Sequence, residues 1–245
     1  MPQCWIGLGG NQGDVPAAFK VIERRLAAEL KAGHLTVSPL FRTAPIGTNA
    51  GATFWNAVAG FDTTLEPLPL LDRLQAWEAE FGRVRTVRWG PRPLDLDLLF
   101  YDRLVEDSPR LTLPHPGAWY RRFVLEPLCG VAPNLVHPVW SLTIRHLRDR
   151  LAQAPATVFL WSPLRDDAHT WRDRLQSKCP DIAVRTNDGQ SPAPHGLMIA
   201  LGAIVPDSWQ STPHLRFALQ QPPEQLEQSL VDACAAAFDV PLCVE

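Results

Sequence analysis

Residues 88–101 read Arg88-Trp89-Gly90-Pro91-Arg92-Pro93-Leu94-Asp95-Leu96-Asp97-Leu98-Leu99-Phe100-Tyr101. From Leu94 onward leucine and aspartate alternate, and a period of two marks a strand with one buried face. Leu94, Leu96 and Leu98 then point to a core. Asp95 and Asp97 project together from the other face, about 7 Å apart at ~3.3 Å per residue. This strand, Leu94 to Tyr101, completes a run of six elements. Gln3 to Leu8 reads as a short buried strand, followed by the turn Gly9-Gly10-Asn11-Gln12-Gly13. Asp14 as N-cap and Pro16 in the first turn open a helix, whose stripe Phe19, Ile22, Leu26, Leu30 has helical spacing and which Gly33 is placed to end. Leu35 to Arg42 and Phe54 to Phe61 read as strands, joined by the loop Ala44 to Gly51. A second helix from about Pro67 buries Leu70, Leu74, Trp77 and Phe81 and stops at Gly82. Strand, helix, strand, strand, helix, strand in this order is the split βαβ plan. The expected fold class is α+β, a ferredoxin-like split βαβ sandwich with a mainly antiparallel sheet.

After about residue 150 the pattern restarts. Strands are expected at Thr157 to Trp161, Ile182 to Arg185, Leu197 to Ile204 and Leu215 to Gln220, with helices at Ala168 to Lys178 and Pro223 to Phe238. This predicts a small C-terminal α/β unit and a division into residues 1–152 and 153–245. The total of 245 residues accommodates two such parts at roughly 100–200 residues per domain. The charges divide too: residues 1–150 hold 17 basic and 15 acidic groups and the remainder 6 and 11, for a net charge of -3. No field of the whole chain could hold nucleic acid or an anionic membrane, so any phosphate chemistry must be local. Of the 23 basic residues 20 are arginine, the side chain suited to bidentate phosphate recognition. No catalytic constellation is apparent after residue 152, and that part is read as a packing module or as the means to form a homodimer.

Two carboxylates side by side disfavour each other unless a cation lies between them, and hard oxygen ligands suit magnesium carried by substrate phosphates. An isolated acid pair is commonly only the outer face of a half-exposed strand. Here Arg83, Arg85, Arg88 and Arg92 precede it within ten residues. Four cations beside two anions leave surplus positive charge, which fits a polyphosphate with magnesium.

Other chemistries lack their motifs. Gly7-x-Gly9-Gly10-Asn11-Gln12 has Gln12 where a dinucleotide fold needs its last glycine, and GxxxxGK[ST], HExxH and GxSxG do not occur. His34, His137, His146, His169, His195 and His214 are expected as surface or hydrogen-bonded structural residues. The five cysteines, Cys4, Cys129, Cys179, Cys234 and Cys243, have no zinc spacing and read as reduced thiols. With no signal-like start and no apolar run of membrane length, a cytoplasmic protein is expected.

Five blocks carry a resemblance: GLGGNQGD, FRTAPIG with FWNAV, QAWEAEFGRVR, RWGPRPLDLDLLF and LTLPHPGAWYRRFVLEPL. In this order and spacing, over about residues 3–140, the chain resembles hydroxymethyl-dihydropterin pyrophosphokinase of folate biosynthesis. The resemblance implies transfer of an intact pyrophosphoryl group from ATP to the hydroxymethyl of 6-hydroxymethyl-7,8-dihydropterin, leaving AMP. It implies that Asp95 and Asp97 hold two magnesium ions arriving with ATP, and that Arg83 and Arg92 steady the transferring group. Arg85, Arg121 and His115 would contact the triphosphate, Gln75, Glu78, Arg110 and Thr112 the adenosine end, and Trp89 would sit in a lid over both substrates. For the pterin, Phe54 and Phe123 match the stacking pair and Asn56 the amide that reads the heterocycle edge, with Thr43, Pro45 and Ile46 adding loop contacts.

The chain departs from the family in having Gly10 in place of a frequent serine, Thr86 in place of a lid cation and Pro116 where a phosphate-touching tyrosine can occur, and the loop from Arg85 to Trp89 is one residue shorter than in some members. Two alternatives stand beside the kinase: a metal-dependent nucleotidyltransferase using the Asp95/Asp97 pair, and a pterin- or nucleotide-binding protein without catalysis.

Overall fold

The computed structural model describes residues 1–30, 33–45, 51–82, 91–187, 189, 195–202, 204–219 and 221–244. Strand β1 (Gln3–Gly10), helix α1 (Val15–Glu29), strands β2 (Gly33–Val37), β3 (Leu40–Thr43) and β4 (Phe54–Asp62), helix α2 (Pro67–Glu80) and strand β5 (Asp95–Tyr101) follow one another. The strands form one sheet in the order β3-β4-β1-β5, with β2 also on β4, and each of these pairings is antiparallel.

The helices form where the local chemistry starts and stops them. The Asp14 Oδ1 accepts the Ala17 N–H at 3.1 Å, occupying one of the donors a helix start leaves open, and Gly82 ends the turn after α2 at φ +82°, where only glycine is unstrained. Phe19, Ile22 and Leu26 of α1 and Leu70, Leu74 and Trp77 of α2 are buried against Ile6, Leu8, Ala57, Ala59, Phe61, Leu94, Leu96 and Leu98 on one face of the sheet. Each buried side chain of this size contributes roughly 1.5–3 kcal/mol. Arg25 joins the two helices, 2.6 Å from Glu80 and over the rings of Trp77 and Phe81.

Three details differ from the sequence expectation. Strand β1 runs on through Gly9 and Gly10, because both pair with β4 and Gly9 also with β5; they are not a turn. The stretch 35–42 is two strands. Between them Ser38 turns into the sheet, its N–H donating to the Val58 carbonyl and its Oγ accepting the Val58 N–H, while Pro39 has no N–H to continue the ladder. Gly33 begins β2 and does not end α1.

Strands β6 (Glu106–Asp107) and β7 (Thr112–Leu113) pair as a small ribbon. Helix α3 (Arg122–Val131) packs on β3 and β4, burying Val124, Leu125 and Leu128. Helix α4 (Ile144–Ala152) follows. Near it His137 is 3 % exposed, edge-on to Phe100. Its Nδ1 accepts the Trp140 N–H at 3.4 Å, so the ring is neutral with its proton on Nε2, and burial pushes its pKa down to about 4. An unfolded chain takes up this proton near pH 6.5. The stability contribution is therefore complete above about pH 6.5 and is lost as pH falls toward 4, on the order of 2 kcal/mol at pH 5. Thermal melts are expected to show Tm falling by about 4–8 °C between pH 7 and pH 5 from this residue, and His137→Gln is expected to flatten that slope. An equal slope in the variant rejects the assignment.

A second sheet is parallel throughout. Strands β8 (Thr157–Trp161), β9 (Ala183–Thr186), β10 (Leu197–Leu201) and β11 (Leu215–Phe217) lie in the order β11-β10-β8-β9. All five residues of β10 are buried, the continuous apolar run of a strand covered on both faces. Helices α5 (Arg165–Lys178) and α6 (Pro223–Phe238) belong to this unit. Gln176 fastens α5 to β9, its Nε2 donating to the Ile182 carbonyl and its Oε1 accepting the Val184 N–H, both at 3.0 Å.

One further strand, β12 (Leu242–Val244), was not legible in the sequence. It pairs antiparallel with β3 and so adds a strand to the first sheet. The two compact units are accordingly Met1–Arg145 with Val240–Glu245, and His146–Asp239, where a division at 152/153 was expected. Among the described residues no helix is long and apolar enough to cross a membrane.

Candidate active site

The sheet face opposite α1 and α2 carries a gap in its side chains. On β1 that face carries Gly7 and Gly9 beyond Trp5, paired with Asp97 and Asp95 of β5 on one side and with Val58 and Asn56 of β4 on the other. Glycine in a central strand weakens it and marks a close approach. A Cβ on Gly9 would lie 3.6 Å from the Asp95 Cβ and 3.8 Å from the Asn56 Oδ1, filling the floor between carboxylate and amide. Without it, an open-mouthed cavity runs from Asp95 and Asp97 across the glycines to Thr43, Phe54 and Asn56, with Arg92, Arg121 and Phe123 also in its walls.

Asp95 and Asp97 both face this cavity while Leu94, Leu96 and Leu98 are buried on the other side. Arg92 lies between several parts of the site. Its Nη1 is 2.6 Å from the Asp95 Oδ2, and its guanidinium stands 5.9 Å from the centre of the Phe54 ring. Its backbone is held by Asn11, whose Oδ1 accepts the Arg92 N–H at 2.8 Å and whose N–H donates to the Arg92 carbonyl at 2.9 Å. The Asn11 Nδ2 donates to the Ala52 carbonyl. One amide thus ties the end of β1 to the segments before β4 and before β5.

On the other side, the Asn56 Nδ2 donates to the Thr43 Oγ1 at 3.0 Å, and both residues are buried. This fixes the amide plane and leaves its Oδ1 and second N–H for other partners. Phe54 and Phe123 are half-buried, and each has a guanidinium near its ring, Arg92 on Phe54 and Arg121 on Phe123. Pro45 is exposed just after β3.

Arg121 stands just before α3 as its N-cap, and Gly117 makes room for it: a Cβ at Gly117 would collide with the Arg121 side chain. The Gly117 N–H donates to the His115 Nδ1 at 3.0 Å, which leaves the His115 proton on Nε2. Burial and then the nearby Arg121 charge push the His115 pKa down to about 3, so its imidazole is a neutral donor at physiological pH.

The residues expected at the adenosine end are not in the cavity wall but lie along α2 and β7, both of which pack beside β5. Glu78 is 2 % exposed, and its Oε1 accepts the Leu96 N–H at 2.7 Å; this carboxylate satisfies the outer edge of β5 between the two aspartates. Gln75 is half-buried. Arg110 pairs with Asp72 of α2, and the exposed Thr112 donates from Oγ1 to Asp107 at 3.3 Å. Ile46, Arg83, Arg85, Thr86, Arg88 and Trp89 lie outside the described residues. Gly7, Gly9, Asn11 and Gly117 had no assigned role in the sequence; glycines two apart within a strand pattern were the available signal for the first two.

With the geometry in place, comparison with known proteins gives one family. The sequence profile described as 7,8-dihydro-6-hydroxymethylpterin-pyrophosphokinase (HPPK) matches residues 5–133. A Pseudomonas aeruginosa protein named 2-amino-4-hydroxy-6-hydroxymethyldihydropteridine pyrophosphokinase is 44% identical over 155 residues, 62% of this chain and 91% of the relative. A Haemophilus influenzae protein of the same name is 41% identical, over 56% of this chain and 86% of the relative. The folic acid synthesis protein fol1 of Schizosaccharomyces pombe is 37% identical over 60% of this chain, which spans only 20% of that longer protein. Among solved structures, a Plasmodium falciparum HPPK-DHPS aligns at a TM-score of 0.49 and 12% identity, over 82% of this chain and 64% of the other.

Proposed function

The chain belongs to the 7,8-dihydro-6-hydroxymethylpterin-pyrophosphokinase family, and from that premise we propose that it transfers pyrophosphate from ATP to the hydroxymethyl group of 6-hydroxymethyl-7,8-dihydropterin, giving AMP and the pterin diphosphate, in folate biosynthesis. The observation that carries the reading is the cavity floored by Gly7 and Gly9, lined by the carboxylates of Asp95 and Asp97 and by the Asn56 amide with the rings of Phe54 and Phe123. The polyphosphate belongs by the carboxylates and the flat heterocycle by the amide and the rings.

The pterin stacks between Phe54 and Phe123, and Asn56 reads its donor and acceptor edge with the functions Thr43 leaves open. Thr43 lines this end, and Pro45 and Ile46 would add contacts to it. The oxygen set of Asp95 and Asp97 fits magnesium, which binds through one or two carboxylates plus substrate phosphates and keeps several waters; the glycines opposite leave the space. Two magnesium ions bound here would neutralise charge on the phosphates. The pterin hydroxyl oxygen bonds to the β-phosphorus as the bond from that phosphorus to the α-bridging oxygen breaks, the bonding pair leaving with AMP and the hydroxyl proton passing to water. Arg92, with Arg83, steadies the transferring group, while Arg85 and Arg121 hold the triphosphate and His115 donates to it from Nε2. Gln75, Glu78, Arg110 and Thr112 would meet the adenosine end, and Trp89 would help to exclude water.

The strand order β3-β4-β1-β5, with helices after β1 and β4, supports a ferredoxin-like sandwich for the first unit. Five free cysteines support the cytoplasm as the working compartment. For the second unit we retain self-association as a homodimer, supported by Leu164 and Ile204, exposed apolar side chains at 63% and 66% in the loops after β8 and β10; sedimentation of the full chain as a monomer at micromolar concentration removes it.

Incubation with ATP, magnesium and the hydroxymethyl-dihydropterin tests the main reading. AMP and a pyrophosphorylated pterin are expected; released pyrophosphate indicates a nucleotidyltransferase, and saturable binding without turnover indicates a binding protein. Asn11 acts through Arg92 as a positioning residue. Asn11→Ala is expected to lower kcat about tenfold and to add little to Arg92→Ala in the double variant. Full additivity in that cycle excludes the coupling.

A further inference from the structure

We infer that the C-terminal strand β12 positions the pterin end of the active site by completing the ladder around β3. The inference rests on the pterin placement above. Strand β3 lies between two partners. On one side Phe41, Arg42 and Thr43 pair with Asn56, Trp55 and Phe54 of β4; on the other Leu40, Phe41 and Arg42 pair with Val244, Cys243 and Leu242 of β12. Phe41 is thus paired with Asn56 and with Cys243, and the ladder from β12 reaches the row that carries the pterin amide.

The side chain of Thr43, at the end of β3, sets the plane of the Asn56 amide. A four-residue strand paired on one side only would have a row of unpaired backbone groups facing water, and fraying of its end would release Thr43 and then Asn56. β12 is suited to prevent this and little else. Leu242 is 70% exposed and Cys243 is exposed, so the strand adds little to the hydrophobic core; its contribution is the backbone pairing. It lies beyond the residues 5–133 that carry the family match and is reached only after the chain has built the unit His146–Asp239. That unit is therefore enclosed within the catalytic unit's chain and is not a simple appendage, and its return segment is part of the catalytic sheet.

Two variants of the 245-residue chain test this: one ending at Asp239, and Leu242→Pro, which removes the ladder N–H opposite Arg42 and stiffens the strand. KM for the pterin, KM for ATP and kcat are measured in each, with amide hydrogen exchange over residues 40–43. The expected result is a pterin KM raised about tenfold, the scale of a misplaced positioning group, with ATP KM and kcat within about twofold and faster exchange in β3 but not in β1. Leu242→Ala, which keeps the backbone, is expected to behave as the unaltered chain. A strand that is merely structural would lower Tm and disturb both substrates alike, and that outcome overturns the proposal. So does a pterin KM within twofold in Leu242→Pro together with unchanged exchange. Phe54→Ala and Asn56→Ala serve as references. If they raise the pterin KM and the tail variants do not, only the role of β12 is rejected; if they too leave it unchanged, the pterin placement falls and the proposal with it.

Discussion

Asp95→Ala and Asp97→Ala are each expected to lower turnover by about three orders of magnitude, roughly 4 kcal/mol of transition-state stabilisation, with the fold intact. The two carboxylates share one face of β5, across from glycines that leave the space before them open. Nothing else in the described wall of the cavity is anionic. Removing either leaves a single carboxylate to balance the cations that accompany a triphosphate, and the remaining arginines cannot substitute for it because their charge has the opposite sign. The core does not depend on these side chains, since Leu94, Leu96 and Leu98 hold the strand from the other face. Steady-state rates at saturating magnesium, with thermal melts beside them, check this. A rate within tenfold of the unaltered enzyme in either variant excludes a metal-holding role for that residue.

Arg92→Ala is the next largest effect, about 10²–10³ in kcat, the range for loss of one preorganised donor to developing charge. Arg92 is tied through its backbone to Asn11, through its guanidinium to Asp95, and stands by the Phe54 ring. A group held in three ways loses little freedom when a phosphate arrives, which is what gives a donor its catalytic value. Arg92→Lys is expected to recover less than a tenth of the lost rate, because an ammonium has neither the planar fork nor the same reach. If lysine restores the rate fully, Arg92 supplies only charge, and the geometric argument fails.

Much of this site was readable before any coordinates. The alternation of leucine and aspartate from Leu94 to Asp97 sets two carboxylates on one face, because strand geometry has a fixed period. The apolar stripes of α1 and α2 were similarly clear. Gly9 and Gly10 were misread as a turn, since glycine looks the same in a turn and in a central strand that a ligand approaches; only the partners on β4 and β5 distinguish them. Ser38 and Pro39 broke a strand that composition ran together, through a hydroxyl bonded to a residue twenty positions away. Glu78 has the position of a core residue on α2, and its burial makes sense only with the Leu96 N–H it accepts. β12 is three residues long, too short for periodicity to register, and its partner is remote.

That remoteness has a kinetic consequence. Arg42 and Leu242 are paired although 200 positions separate them, and contacts between such distant residues are slow to form because loop closure must precede any gain. Folding of residues 146–239 shortens the free chain that must be closed. β12 is then expected to be the last strand to join the catalytic sheet, after the unit that precedes it along the chain has folded. Substitutions such as one in the buried strand β10, far along the chain from either substrate, would delay maturation of the enzyme without altering the chemistry of the matured form.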